Sequence, residues 1–422
     1  MSRRTITLIA VLFVVRTGIS FLFSDGLFRS DSLTYFGAVV NLGLTGSMAS
    51  IQPEDEPRFA RGADGDELYR HLAGIRDPLY RPLGYQWLHS AVYAPILFFW
   101  RSLTPVIIIN NLLFFGAGIF FFRTRWADAG QAAQYAGWIV FAFFPPFFYM
   151  TSQFFSEPLF LFFLGALILL AEKEGSEQFF FLFIAAAALC LTRPFGIMIV
   201  LALALFSAVR RRYARAFGLV AAVGLAAGIN TVVMLHAYPA DARVYAVSAA
   251  ETFYCTNAAA GNGDYDLYFD VPEAAQSDTT LMAYRSGRIS GARLMAEAAL
   301  QNLRAPGRFV RNSAAKLTNY FFSVVPASWI YPGKVEQTPA KKLLWVVQNL
   351  LLYVLIAAGI YRSRSPGTGL FAWLFVVGLL FHFFLLARYR YLLPLLAYAS
   401  AFIPSALEYV MPNHLKHPSP QS

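Results

Sequence analysis

Charge is what this sequence has least of. Charged residues fill 14% of its 422 positions, where a soluble globular chain carries about 25%, and that deficit excludes an ordinary soluble domain. Cysteine is nearly missing as well. Cys190 and Cys255 are the two present; they cannot build a disulfide framework and lack zinc-ligand spacing, so one bridge and two free thiols both stay open. No glycine-rich phosphate loop is evident, which removes the usual nucleotide sites. No Asn-x-Ser/Thr acceptor sequence occurs, in keeping with a bacterial inner (plasma) membrane. Nor do the two halves repeat one another, as the halves of many transporters do.

Apolar residues are what the chain has in excess: 57% are hydrophobic and 17% aromatic, with 41 phenylalanines. Runs near 20 residues long are what membrane-spanning helices need, and the fold class that follows is an all-α polytopic membrane protein. Apolar runs, seven of them 17 to 19 residues long and three shorter, occupy 5–23, 105–122, 132–150, 158–171, 179–191, 195–209, 217–235, 343–361, 370–386 and 391–407. Ten spans place both chain ends on one side. Arg3 and Arg4 precede the first run and no small-residue cleavage site follows it, so a retained signal-anchor with a cytoplasmic N-terminus is expected. The formal charge of +10 does not point to nucleic acid, because the basic residues sit at the ends of apolar runs rather than in one stripe.

Residues 84–100 are apolar enough for an eleventh span but contain His89 and follow two prolines. Charge decides the matter. If this stretch does not cross, then Arg123 and Arg125, the group Arg210, Arg211, Arg212 and Arg215, and the pair Arg362 and Arg364 all face inward, as short loops rich in arginine do. The stretch is therefore expected to be interfacial or re-entrant. The expected organisation is a membrane module over 1–236 with a first outer (periplasmic) loop at 24–104, a second outer segment at 237–342, C-terminal membrane helices at 343–411 and a cytoplasmic tail at 412–422.

Against that frame a few charges stand on the outer side. Arg193 occupies Leu191-Thr192-Arg193-Pro194, Arg388 and Arg390 share a tight turn between two apolar runs, and Arg81 lies in the first outer loop. Any one of them has an ordinary role, snorkelling to headgroup phosphates. Together they suggest a phosphate ligand, because the planar guanidinium fork suits a pair of phosphate oxygens. Two carboxylates join them. Asp31 follows the first run and is also a good helix N-cap; Glu157, in Ser156-Glu157-Pro158-Leu159, is also a fitting first residue of a helix that begins with proline. Tyr35 and Tyr85 are placed to position sugar hydroxyls or simply to anchor at the interface.

The order of these features carries a resemblance: Asp31 with Tyr35, then Arg81-Pro82-Leu83-Gly84-Tyr85, the Asn110-Asn111 span, Pro145-Pro146, Ser156-Glu157-Pro158, Thr192-Arg193-Pro194 and Arg388-Tyr389-Arg390-Tyr391. The chain resembles the GT-C superfamily of membrane glycosyltransferases, in particular family 39 with its protein O-mannosyltransferases and its aminoarabinose transferase-like bacterial relatives. The resemblance covers about the first 210 residues and, more loosely, the last 60. It implies an inverting transfer of a hexosyl or pentosyl group from a polyprenyl-phosphate donor to a lipid, glycan or protein hydroxyl. Asp31 would be the base, Arg81 a contact of the donor phosphate, and Glu157 part of the cavity wall. Many relatives carry a second acidic residue beside the base; here Ser30 and Ser32 flank Asp31, which gives a divalent metal no support. Such chemistry requires no cofactor, since the donor brings its own leaving group.

The second outer segment says less. Residues 257–270 read as a loop, and Asp264, Asp266 and Asp270 lack the glycine and distal glutamate of an EF-hand. An amphipathic helix is expected over 289–303 and an interfacial stretch over 317–329. Two other functions fit the composition: a ligase or polymerase of lipid-linked glycans, and a lipid flippase or transporter. The first does not specially need Asp31, and the second predicts polar residues near span centres.

Overall fold

The structure is a computed structural model that describes residues 2–22, 87–100, 104–125, 129–152, 156–173, 178–237, 253–257, 278–285, 288–322, 338–363, 367–384 and 389–410. Among the described residues there are helices and no strands. The described residues of the ten apolar runs are mainly helical. In chain order the helices are α1 (Arg3–Leu22), α2 (Trp87–Trp100), α3 (Thr104–Arg123), α4 (Gln131–Phe143), α5 (Pro145–Thr151), α6 (Glu157–Glu172), α7 (Phe179–Thr192), α8 (Pro194–Val209) and α9 (Tyr213–Ala237). There follow α10 (Thr279–Arg285), α11 (Gly291–Arg304), α12 (Pro306–Phe322), α13 (Pro339–Arg362), α14 (Gly367–Phe384), α15 (Tyr389–Ala399) and α16 (Ile403–Val410), with a 3-10 turn over Ser400–Phe402. Among the described residues, five stretches are long and apolar enough to cross a membrane: Arg3–Phe21, Thr104–Arg123, Tyr213–Val232, Leu343–Arg362 and Leu392–Tyr409. Shorter apolar helices cover Phe179–Thr192, Pro194–Val209 and Gly367–His382. The chain is a helical membrane protein.

The run expected over 132–150 is two helices. Phe144 takes an extended conformation (φ −63°, ψ 118°) between α4 and α5, because a residue before proline is pushed out of the helical region. The chain divides into two compact units, one of Met1–Asn230, Val324–Leu374 and Leu393–Ser422, the other of Thr231–Ser323 and Phe375–Leu392.

In the larger unit α3 packs on α6, with α4, α1 and α2 around it, and α13 packs on α16. Aromatic rings fill the space: Phe114 stacks on Phe141 at 4.3 Å and Phe122 on Trp138 at 4.6 Å. Gly118 lets these rings approach, since a Cβ there would lie 2.6 Å from Phe141. Helices α1 and α3 run antiparallel, with Phe13 against Phe115 and Ser20 hydrogen-bonded to Asn111.

One end of this unit collects the arginine-rich turns. Arg125, fully buried, makes a bidentate pair with Glu172 (2.9 and 2.7 Å) and donates to Tyr398 Oη at 2.8 Å. Arg215 donates to Ala171 O and Lys173 O at 2.8 and 2.9 Å, closing the carbonyl end of α6. Arg362 lies 3.9 Å over the Tyr409 ring, Glu408 accepts the Gly130 N–H at 2.9 Å, and Gln131 donates to Ser2 Oγ at 3.4 Å. The beginning of α1 therefore sits at the same end as the turns after α3, α6 and α13.

The smaller unit has its own core of Tyr254, Cys255, Leu281, Leu294 and Ala298. The helix expected over 289–303 is α11. Ser290 caps it by accepting the Arg293 N–H at 3.3 Å, and Leu294 and Ala298, one turn apart, are its buried face. Asp278 caps α10 through the N–H groups of Thr280 and Leu281 at 3.0 Å and also accepts from Tyr254 Oη. The stretch expected over 317–329 begins inside α12; residues 323–337 lie outside the described residues. Neither Cys190 nor Cys255 is in a disulfide, and both are buried.

Candidate functional site

Proline builds the site's local geometry twice. Pro158 opens α6, which leaves Glu157 as its first residue with the carboxylate at the positive end of the helix dipole. Pro194 opens α8, and Arg193 ahead of it is extended (φ −157°, ψ 148°), so the chain turns sharply between α7 and α8. The turn is tight enough that a methyl group on Gly196 would collide with the carbonyl of Leu189. These two helix starts meet. Arg193 Nη1 pairs with Glu157 Oε1, and both side chains are buried.

The pair is open on one side. Glu157 Oε2 and Ser156 Oγ are buried and have no hydrogen-bond partner, so an incoming hydroxyl or cation would find an acceptor with lone pairs to spare. Removing one partner of such a buried pair typically costs about 3–5 kcal/mol, because the other charge is left uncompensated.

A second polar group, which sequence reasoning missed, lies under the turn that precedes this pair. Arg16, in the middle of apolar α1, is fully buried. Its Nε donates to Asn111 Oδ1 at 3.0 Å, Nη2 to Phe147 O at 2.8 Å and to Thr151 Oγ1 at 2.9 Å, and Nη1 to Ala142 O. The guanidinium is sandwiched between the rings of Phe114 and Phe148, each 4.2 Å away. Asn111 in turn bonds Ser20 and Ile107 O. The break at Phe144 contributes to this: Ala142 O, at the end of α4, would otherwise face the nitrogen of Pro146, which carries no hydrogen, and it accepts from Arg16 instead. A single arginine inside an apolar run was the available signal. Beside it, Tyr93 of α2 donates to Asn110 Oδ1, and the His89 ring lies 4.7 Å from that of Tyr93, tilted by 41°.

Of the expected site residues, the structure brings Glu157 and Arg193 together. Arg390 falls in the first turn of α15, with its side chain outside the description. Asp31, Tyr35, Arg81, Tyr85 and Arg388 lie outside the described residues, as do the loop 258–270 and the tail from Pro412. Among the described residues no group of three or more His, Cys, Asp or Glu side chains could hold a metal ion. No protein family matches the chain, and no curated protein does.

Proposed function

We propose that the chain is an inverting glycosyltransferase that moves a sugar from a polyprenyl-phosphate donor to an acceptor hydroxyl at the outer face of a bacterial inner membrane. The observation that carries this reading is the buried Glu157–Arg193 pair with its open carboxylate oxygen, at the starts of α6 and α8. Both residues were expected at the site on sequence grounds alone. The arginine-rich turns lie at the other ends of these helices, which the sidedness of basic residues assigns to the cytoplasm.

One contact supports the ten-crossing count at its start. Ser2 and Gln131 share an end, so an even number of crossings separates them, and α1 and α3 supply two. A full crossing by α2 would make three.

In the proposed step Asp31 takes the proton of the acceptor hydroxyl while its oxygen forms a bond to the anomeric carbon. The bond from that carbon to the phosphate oxygen breaks, and its electron pair leaves with the polyprenyl phosphate. Arg81, Arg388 and Arg390 stabilise the charge gathering there. Arg193, held by Glu157, adds a positive wall to the same cavity, and Tyr35 and Tyr85 orient the sugar. Arg16 is the observation a transporter reading would use. Its guanidinium, however, is already taken up by four protein acceptors and belongs to the scaffold.

The test supplies purified protein with a panel of polyprenyl-phosphate sugars (mannose, glucose, galactose, arabinose, aminoarabinose) and measures donor consumption. Asp31→Asn should abolish turnover while folding normally, and Arg390→Ala should reduce donor use much more than thermal stability. A folded Asp31→Asn protein that works at the wild-type rate would remove the assigned base.

A further inference from the structure

Among the described residues, the smaller unit holds a charged group without a counter-ion. Lys316, in the middle of α12, is completely buried. Its Nζ donates to Asn257 Oδ1 at 2.7 Å, its one hydrogen bond among the described residues, and that partner is neutral. Asn257 is fixed in this orientation, because its amide nitrogen donates to Phe253 O at 2.8 Å and to Thr256 Oγ1 at 3.1 Å. One turn earlier on α12, Ser313 Oγ is buried and without a partner. Positions three apart share a helix face, so the hydroxyl and the ammonium are neighbours.

An ammonium offers three donors and a hydroxyl one. With one ammonium donor on Asn257, two remain, and the serine adds a third on the same face. Burying an ammonium without a counter-charge costs several kcal/mol, and a residue kept at that cost usually meets an opposite charge in use. Burial lowers the Lys316 ammonium to about 8, which leaves it protonated at neutral pH. We propose that Lys316 and Ser313 form a binding site for a singly charged oxyanion, either a carboxylate or a phosphodiester. The charge state follows from electrostatics: one buried positive charge is cancelled by a monoanion, whereas a dianion would leave an excess negative charge out of water. The carboxylate of an acidic sugar and the phosphodiester of a lipid headgroup share this chemistry. The site uses residues of the smaller unit alone and stands apart from the glycosyl-transfer reading.

Thermal unfolding of the full chain in detergent tests it, with sodium dimethyl phosphate or sodium glucuronate added and sodium chloride at the same ionic strength as control. A ligand that binds the native state raises the melting temperature in a saturable way. The expected result is such a rise, beyond chloride, for at least one oxyanion in the wild-type protein, a smaller rise in Ser313→Ala and none in Lys316→Met. The oxyanion with the larger effect identifies the source. No rise beyond chloride in the wild type, or an equal rise in Lys316→Met, overturns the site. If Lys316→Met does not fold, the 15Nζ resonance of Lys316, assigned with Lys316→Arg, gives the answer. A saturable shift of that resonance, but not of Lys173 or Lys416, supports the site, and no shift overturns it.

Discussion

At the residue scale, the molecule separates charges placed at helix starts from a charge placed inside a helix. Glu157 and Arg193 were legible in the sequence because each borders an apolar run beside a proline, where a charge in a short outer turn stands out. Their pairing was not legible. Arg16 was passed over within an apolar run, and its partners lie 95 to 135 residues further along the chain. A sequence displays where a charge falls but not the carbonyls that a distant helix break turns toward it. The geometry predicts that Arg16→Leu strongly destabilises the protein, by about 3–5 kcal/mol, since Asn111, Thr151 and two buried carbonyls lose their donor together. Arg16→Lys should recover only part of this, because an ammonium cannot reproduce the guanidinium fork or its stacking between two rings. Melting temperatures in detergent measure both variants, and a Leu variant as stable as the wild type would show that the network contributes nothing.

At the scale of elements, apolar run length located most of the described helices of the larger unit to within a few residues, because a lipid-facing or core helix needs an uninterrupted apolar sequence. Breaks within runs were harder to read. Pro145-Pro146 split one expected helix into α4 and α5, and a 3-10 turn over Ser400–Phe402 interrupts another where Phe402 O approaches Gly359. Such breaks depend on what packs against them. The α7–α8 turn gives a test at this scale. Gly196→Ala would force the start of α8 away from Leu189, at a cost of about 1–3 kcal/mol for overpacking, and Arg193 would move with it. Gly224, in the middle of α9, has nothing within 4 Å of the position a Cβ would take. Gly224→Ala should therefore be neutral or stabilising by up to about 1 kcal/mol, the ordinary gain in helix propensity. The expected pattern is a lower melting temperature and lower donor turnover for Gly196→Ala alone; equal behaviour of the two variants would mean that the turn does not set the position of Arg193.

At the scale of the whole molecule, sidedness is the premise on which the proposed site rests; the charge rule proposes it, and the contacts supply the shared end that it requires. The sequence distributes arginine unevenly among its short loops. The contacts of Arg125 with Glu172, of Arg215 with the end of α6 and of Gln131 with Ser2 gather those same loops at one end of the larger unit. Those contacts do not depend on the charge rule, since hydrogen bonds between helix ends do not know it. Cysteine accessibility can decide the matter directly, because Cys190 and Cys255 are buried and make the wild-type chain a quiet background. Arg123 is exposed at the end of α3, and a cysteine there should react with a membrane-impermeant maleimide only after the cells are permeabilised. A cysteine replacing Arg388 should react in intact spheroplasts. Labelling of the Arg123 position from outside would add a crossing before α3 and move the arginine-rich end to the outer face. The Glu157–Arg193 pair would then open toward the cytoplasm, where a donor presented at the outer face cannot reach it.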